Sequence, residues 1–150
     1  MTDPACLICE QEHADPEDVV FRDDTWSAGV ITGYEVPGWI VLRLRRHAEG
    51  LSGLTAAELA QFGRRARDVV TAVSAVTGAS ATYFMIFGEA NPHLHSLITP
   101  RTADIGADRR LGDILKLRTE RAAPEAARAL VPAIRAAYLD AARRPIEAVP

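Results

Sequence analysis

Apolar positions along this chain follow two different periods. Short apolar runs at Val19-Val20-Phe21, Trp26 to Ile31, Trp39 to Leu44, Thr82 to Phe87 and Leu94 to Thr99 are bounded by turn-forming pairs such as Asp23-Asp24, Thr32-Gly33 and Pro37-Gly38, and they predict five strands. Between the third and fourth runs the spacing changes to three and four. Leu59, Phe62, Ala66, Val69, Val70, Val73 and Val76 would form one face of a long helix. Thr55-Ala56-Ala57-Glu58 reads as its capping box and Gly78 as its stop. A second helical pattern runs from Pro124 to Arg144, with Leu130, Ile134, Ala137, Tyr138 and Ala141 on one side. Pro132 is expected to kink or split it, because proline removes one internal hydrogen bond. The stretch from Arg101 to Arg110 shows neither period and is expected to be a loop able to fold over a neighbouring site. Strands clustered around a long helix predict an α+β class with a five-stranded antiparallel sheet and a C-terminal helix. One domain over 1–150 is expected, with a helical extension at about 111–144.

Composition narrows the classes of function. The chain has 150 residues, 48% hydrophobic and 25% charged, with a net charge of -3, ordinary globular values that argue against general nucleic-acid binding. No apolar stretch reaches the length of a membrane span and no signal peptide opens the chain, so the expected location is the cytoplasm. Arg43, Arg45 and Arg46 form one basic run, and Arg101, Arg109 and Arg110 form another. Either is ordinary solvated surface or a source of guanidinium groups for a phosphate.

His93-Leu94-His95 carries the strongest chemical signal. Two histidines two apart on a strand point to one face. Two neutral imidazoles there need a use, either as metal ligands or in covalent chemistry at a ring nitrogen. His47 lies 46 residues upstream of His93, and the only cysteines form Cys6-Leu7-Ile8-Cys9. A C-x-x-C pair with two separate histidines supplies the four nitrogen and sulfur ligands of a tetrahedral zinc site, S2N2 donors that favour zinc over iron. A redox pair is the rival, but that motif belongs between a strand and a helix, and only five residues precede Cys6. Two unconnected buried thiols are the remaining alternative. His13, in the acidic stretch Glu12 to Asp18, is expected to be exposed.

The order of these motifs resembles the histidine triad (HIT) family. The resemblance lies in Val36-Pro37-Gly38-Trp39-Ile40-Val41-Leu42, Arg45-Arg46-His47, Leu51-Ser52-Gly53-Leu54-Thr55, Phe87-Gly88-Glu89 and His93-Leu94-His95 with Pro100-Arg101, covering about residues 6 to 101. It implies a HIT-like fold that pairs into a homodimer with one continuous sheet. It implies that His95, at the middle triad position, attacks an α-phosphorus and forms a nucleotidyl-histidine intermediate. It further implies that Cys6, Cys9, His47 and His93 hold a structural zinc that leaves no open position for a water.

Three positions depart from the family pattern. Leu97 stands at the third triad histidine, Trp39 at the histidine of the P-G-H element, and Ile31 where relatives often carry Asp or Asn for ribose hydroxyls. Each places an apolar side chain at an expected nucleotide contact. Asn91, Glu89 and Arg101 are further candidates for substrate contact, whereas Ser96 should face away from the site. Two functions follow. One is a nucleotide phosphohydrolase or nucleotidyl transferase, acting on a nucleotide or other phosphorylated small molecule. The alternative is a degenerate HIT protein that keeps fold and zinc but binds a ligand or partner, or has a repurposed activity.

Overall fold

A computed structural model describes residues 5–147; positions 1–4 and 148–150 of the expected domain lie outside the described residues. A single turn of helix, α1 (Leu7–Glu10), holds Cys9, with Cys6 at its N-cap. Two strands follow, β1 (Val19–Arg22) and β2 (Trp26–Gly29). The Asp23 carboxylate closes the turn between them, accepting from the Thr25 and Trp26 amides at 2.8 and 2.7 Å, the way an Asp side chain mimics a backbone turn. β2 is shorter than expected. It stops at Gly29, where a Cβ would stand 2.3 Å from the Asp18 carbonyl oxygen, beside a register shift in β1.

β3 (Ile40–Leu44) is buried along its whole length. The helix α2 (Ala56–Thr77) then runs from a complete capping box at Thr55 and Glu58 to Gly78, which is left-handed at φ 64. β4 (Ala81–Met85) and β5 (His95–Arg101) complete one antiparallel sheet in the order β1-β2-β3-β5-β4. The chain closes with α3 (Leu117–Glu120) and α4 (Pro124–Arg143). The α+β class, the five antiparallel strands and both long helices match the sequence pattern.

Strand alternation sorts the side chains onto two faces. Trp26, Ala28, Ile40, Leu42, Leu44 and Ile98 meet Val69, Val73, Val131 and Ile134 in the main core, so α2 and α4 cover the same face. Val41, Trp39 and Leu97 point the other way and pack under Ile105, Ile114 and Leu117. The segment after β5 is thus a cover for the second face: Ile105 and short 3-10 turns (Ala107–Arg109, Leu111–Lys116) lie on it. Two helical expectations need correction. Leu59 is 57% exposed, in the first turn of α2, where only Glu58 among the described residues is buried. α4 is not split by Pro132, whose ring faces solvent, where water satisfies the carbonyl it leaves unbonded.

Candidate functional site

His93 and His95 stand at the N-terminal end of β5. The strand itself begins at His95, and His93 forms an isolated bridge with Glu49 just before it. Leu94 between them enters the helix-side core, so both histidines face the opposite side, as alternation requires. Ser96 is buried on the helix side.

The two rings serve different places. His93 is fully buried, and its Nε2 lies 2.8 Å from the Leu44 carbonyl oxygen. A carbonyl only accepts, so Nε2 carries the proton and Nδ1 presents a lone pair. That Nδ1 lies 3.4 Å from the Sγ of both Cys6 and Cys9, and Cys9 Sγ lies 3.5 Å from His47 Nδ1. All four donor atoms fall within 4.8 Å of one another. An ideal tetrahedron with zinc–sulfur bonds of about 2.3 Å and zinc–nitrogen bonds of about 2.05 Å has sulfur–nitrogen edges of about 3.5 Å. Three edges of this cluster therefore have the length that a zinc ion imposes. Burial holds the pKa of His93 down at about 4, against the raising effect of its bond to Leu44 and with help from the nearby charges of His47 and Arg43. A neutral imidazole is the form that binds metal. The residues present fit a closed zinc site.

His95 turns toward an open cavity. Its Nδ1 donates to the His93 carbonyl at 2.7 Å, a contact that selects the tautomer with its lone pair on Nε2. The cavity has a volume of about 380 Å³ and is lined by His95, Ile31, Thr32, Tyr34, Val41, Met85, Phe87, Asn91, Leu97 and Leu115. Leu7, Ile8, Glu10 and Gln11 supply another wall, so the helical turn between the two cysteines is also part of the pocket. Of the expected substrate contacts, Ile31, Leu97 and Asn91 are here. Glu89 is exposed outside it. Trp39 is 2% exposed within the second core and faces a separate surface groove. Arg101 ends β5, six residues and about 20 Å along the strand from His95.

The arginine run next to His47 is committed elsewhere. Arg43 and Arg45 both hold Glu12, at 3.1 and 3.0 Å. Arg46 grips Glu58 at 2.6 Å. Arg109 pairs with Asp108 and Glu120. Glu12 follows the cysteine turn, so its two arginines tie that turn to β3 beside the metal ligands. Sequence reading missed Glu12 and, in α1, Leu7, Ile8 and Glu10. Their signal was present: once Cys6 and Cys9 are anchored at His93, the residues around them must lie beside the start of β5. Strand parity would also have found Val41, which stands opposite Leu97.

Solved structures share this fold. A Hit-like protein involved in cell-cycle regulation from Bartonella henselae aligns with TM-score 0.68 at 20% identity, over 91% of this chain and 99% of that one. A hypothetical histidine triad nucleotide-binding protein from Sulfolobus tokodaii aligns with TM-score 0.69 at 17% identity, over 90% and 93%. The chain has the histidine triad fold. A zinc-bound histidine triad family protein from Mycobacterium smegmatis shares it, with TM-score 0.65 at 18% identity over 91% and 94%. No family model and no curated protein sequence matches this histidine triad-like chain.

Proposed function

We propose that this protein is a nucleotide phosphohydrolase or nucleotidyl transferase that works through His95. One observation carries the reading: the His95 Nδ1 proton is fixed on the His93 carbonyl at 2.7 Å, so Nε2 meets the cavity as a lone pair. That nitrogen would attack phosphorus while the bond to the leaving group breaks, and the leaving group would depart with the electron pair and take a proton from water. A second water or another acceptor would then attack the histidine-bound phosphorus. The phosphorus–nitrogen bond would break, its electrons would return to Nε2, and the attacking group would lose its proton to solvent.

Cys6, Cys9, His47 and His93 would hold zinc as a structural ion, supplying position and not Lewis acidity, since four protein ligands complete its shell. Support comes from the donor spacing and from the zinc-bound protein that shares the fold. Ligand recognition as a nucleotide draws on the nucleotide-binding protein of Sulfolobus tokodaii. A homodimer joined through α2 and an edge of the sheet belongs to the same reading, and β1 and β4 are the two edges. No helix among the described residues is long and apolar enough to cross a membrane.

A second reading, ligand binding without turnover, is favoured by Ile31 and Leu97 in the cavity wall and by the lack of any Lys or Arg among its described lining residues. Turnover of adenosine phosphoramidate and dinucleoside polyphosphates by wild type and His95→Ala separates the two. Turnover that vanishes in the variant supports transfer through His95. Wild-type protein that binds a nucleotide and consumes none of these would refute it.

A further inference from the structure

One guanidinium of the basic run lies behind the His95 cavity. Arg43 stands directly opposite His95 in the register of β3 and β5. Facing residues of antiparallel strands point to the same side of the sheet, with Cα atoms about 4.5–5.5 Å apart. Val41, two residues earlier on that side, lines the cavity. Arg43 is 3% exposed. Its Nη1 donates to Glu12 at 3.1 Å, whereas Nη2 is buried with no hydrogen-bond partner among the described residues. The side chain borders a gap of about 10 Å³ shared with Gln11, Ile31 and Val41, all three of which also line the cavity. That gap is too small for a ligand, so a molecule beside His95 would feel Arg43 across the wall and not by contact.

The charges around Arg43 do not cancel. Arg43 and Arg45 share one carboxylate, that of Glu12, which leaves one positive charge over. Arg22 adds to it, donating only to the Gln11 carbonyl at 3.2 Å, and Glu10 in the cavity lining opposes it. Arg45 is partly exposed and screened by water; Arg43 is not. Its field reaches the start of β5: His93, held down at about 4 chiefly by burial, is lowered further by the charges of His47 and Arg43. We propose that Arg43 is the counter-charge of this site, a specificity-determining residue that draws the phosphate of a ligand toward His95 from behind the wall. This rests on the reading of His95 as the attacking group. A unit charge about 8–10 Å from a phosphate, at an effective dielectric constant of about 20, is worth roughly tenfold or more in affinity.

Titration calorimetry with adenosine 5'-phosphate and with uncharged adenosine, on intact zinc-loaded protein, tests the assignment. Arg43→Met removes the charge and keeps the bulk, and Glu12 retains Arg45. It should weaken adenosine 5'-phosphate about tenfold and leave adenosine within twofold. Glu12→Gln acts in the opposite sense. Glu12 Oε1 accepts from both arginines, so a glutamine oxygen can keep those contacts while the carboxylate charge is lost. Adenosine 5'-phosphate should then bind several-fold more tightly and adenosine unchanged. A merely structural role would move both ligands together, and that result in Arg43→Met overturns the proposal. So does a Glu12→Gln protein with no gain for the nucleotide, which decides the matter if Arg43→Met fails to fold. A wild type that binds adenosine 5'-phosphate no more tightly than adenosine overturns it as well. The transfer reading is judged separately, by His95→Ala. His95-dependent turnover with an Arg43→Met protein that still prefers the anion would sink the counter-charge and keep the chemistry. An Arg43-dependent anion preference without His95-dependent turnover would do the reverse.

Discussion

Replacing Cys9 by serine gives the sharpest test of the buried cluster. Cys9 Sγ makes two of its three short sulfur–nitrogen edges, 3.4 Å to His93 and 3.5 Å to His47. Serine cannot replace a thiolate, because its hydroxyl stays protonated and is a poor zinc ligand. Three ligands would then remain around a hole in the core. A ligand held only by the folded state adds RT ln(1 + [L]/Kd) to stability, about 4 kcal/mol when its concentration is a thousandfold above Kd. For a chain of 150 residues each kcal/mol moves the melting temperature by about 2–4 °C, so the variant should melt roughly 8–16 °C lower. Metal content by plasma mass spectrometry and calorimetry with and without chelator are the assays. Wild type should carry one zinc per chain and lose the same increment when chelated. Leu7, Ile8, Glu10 and Gln11 line the His95 cavity from the turn that Cys9 anchors, so ligand affinity should fall together with the metal. A Cys9→Ser protein that keeps one zinc and the wild-type melting temperature would refute the ligand assignment.

Three further outcomes are expected. His95→Ala should abolish group transfer yet shift stability by no more than about 1 kcal/mol, since the ring is only half-buried; a large drop in melting temperature would mean that it serves folding instead. Trp39→Ala should cost about 3–5 kcal/mol by opening a cavity in the second core while ligand affinity at the His95 site stays within a few-fold, and a selective loss of affinity would place Trp39 at the ligand after all. Glu58→Gln should cost about 0.5–2 kcal/mol, since Glu58 closes the α2 cap and holds Arg46. Chiefly through the Arg46 hydrogen bonds, its carboxyl is lowered from 4.5 to about 2. The unfolded chain then binds more protons between those values, so this contribution is present above pH 4.5 and lost as pH falls toward 2. Urea melts across that range should be flatter for Glu58→Gln than for wild type; parallel curves would show that the pair does not set acid stability.

The parts of this protein legible in its sequence are those set by local chemistry. Alternation and the 3.6-residue period located the five strands and the two long helices, and the Thr55–Glu58 box and Gly78 fixed both ends of α2, because caps depend on side chains within a few residues. Spacing likewise marked Cys6 and Cys9 as a thiol pair, and the family resemblance completed the donor set with His47 and His93. What sequence could not supply was the destination of each side chain across the chain. Nothing in the run Arg43, Arg45, Arg46 says that Glu12 and Glu58 pair with it, and nothing around Trp39 says that it packs with Ile105 and Leu117 outside the lining of the His95 cavity. Leu115 and the turn at Leu7 join His95 only because β5, α1 and the segment after β5 converge on one face of the sheet. Charge pairing and burial are decided between residues distant in sequence, so the tertiary structure alone determined that no Lys or Arg stands among the described residues lining the cavity beside His95.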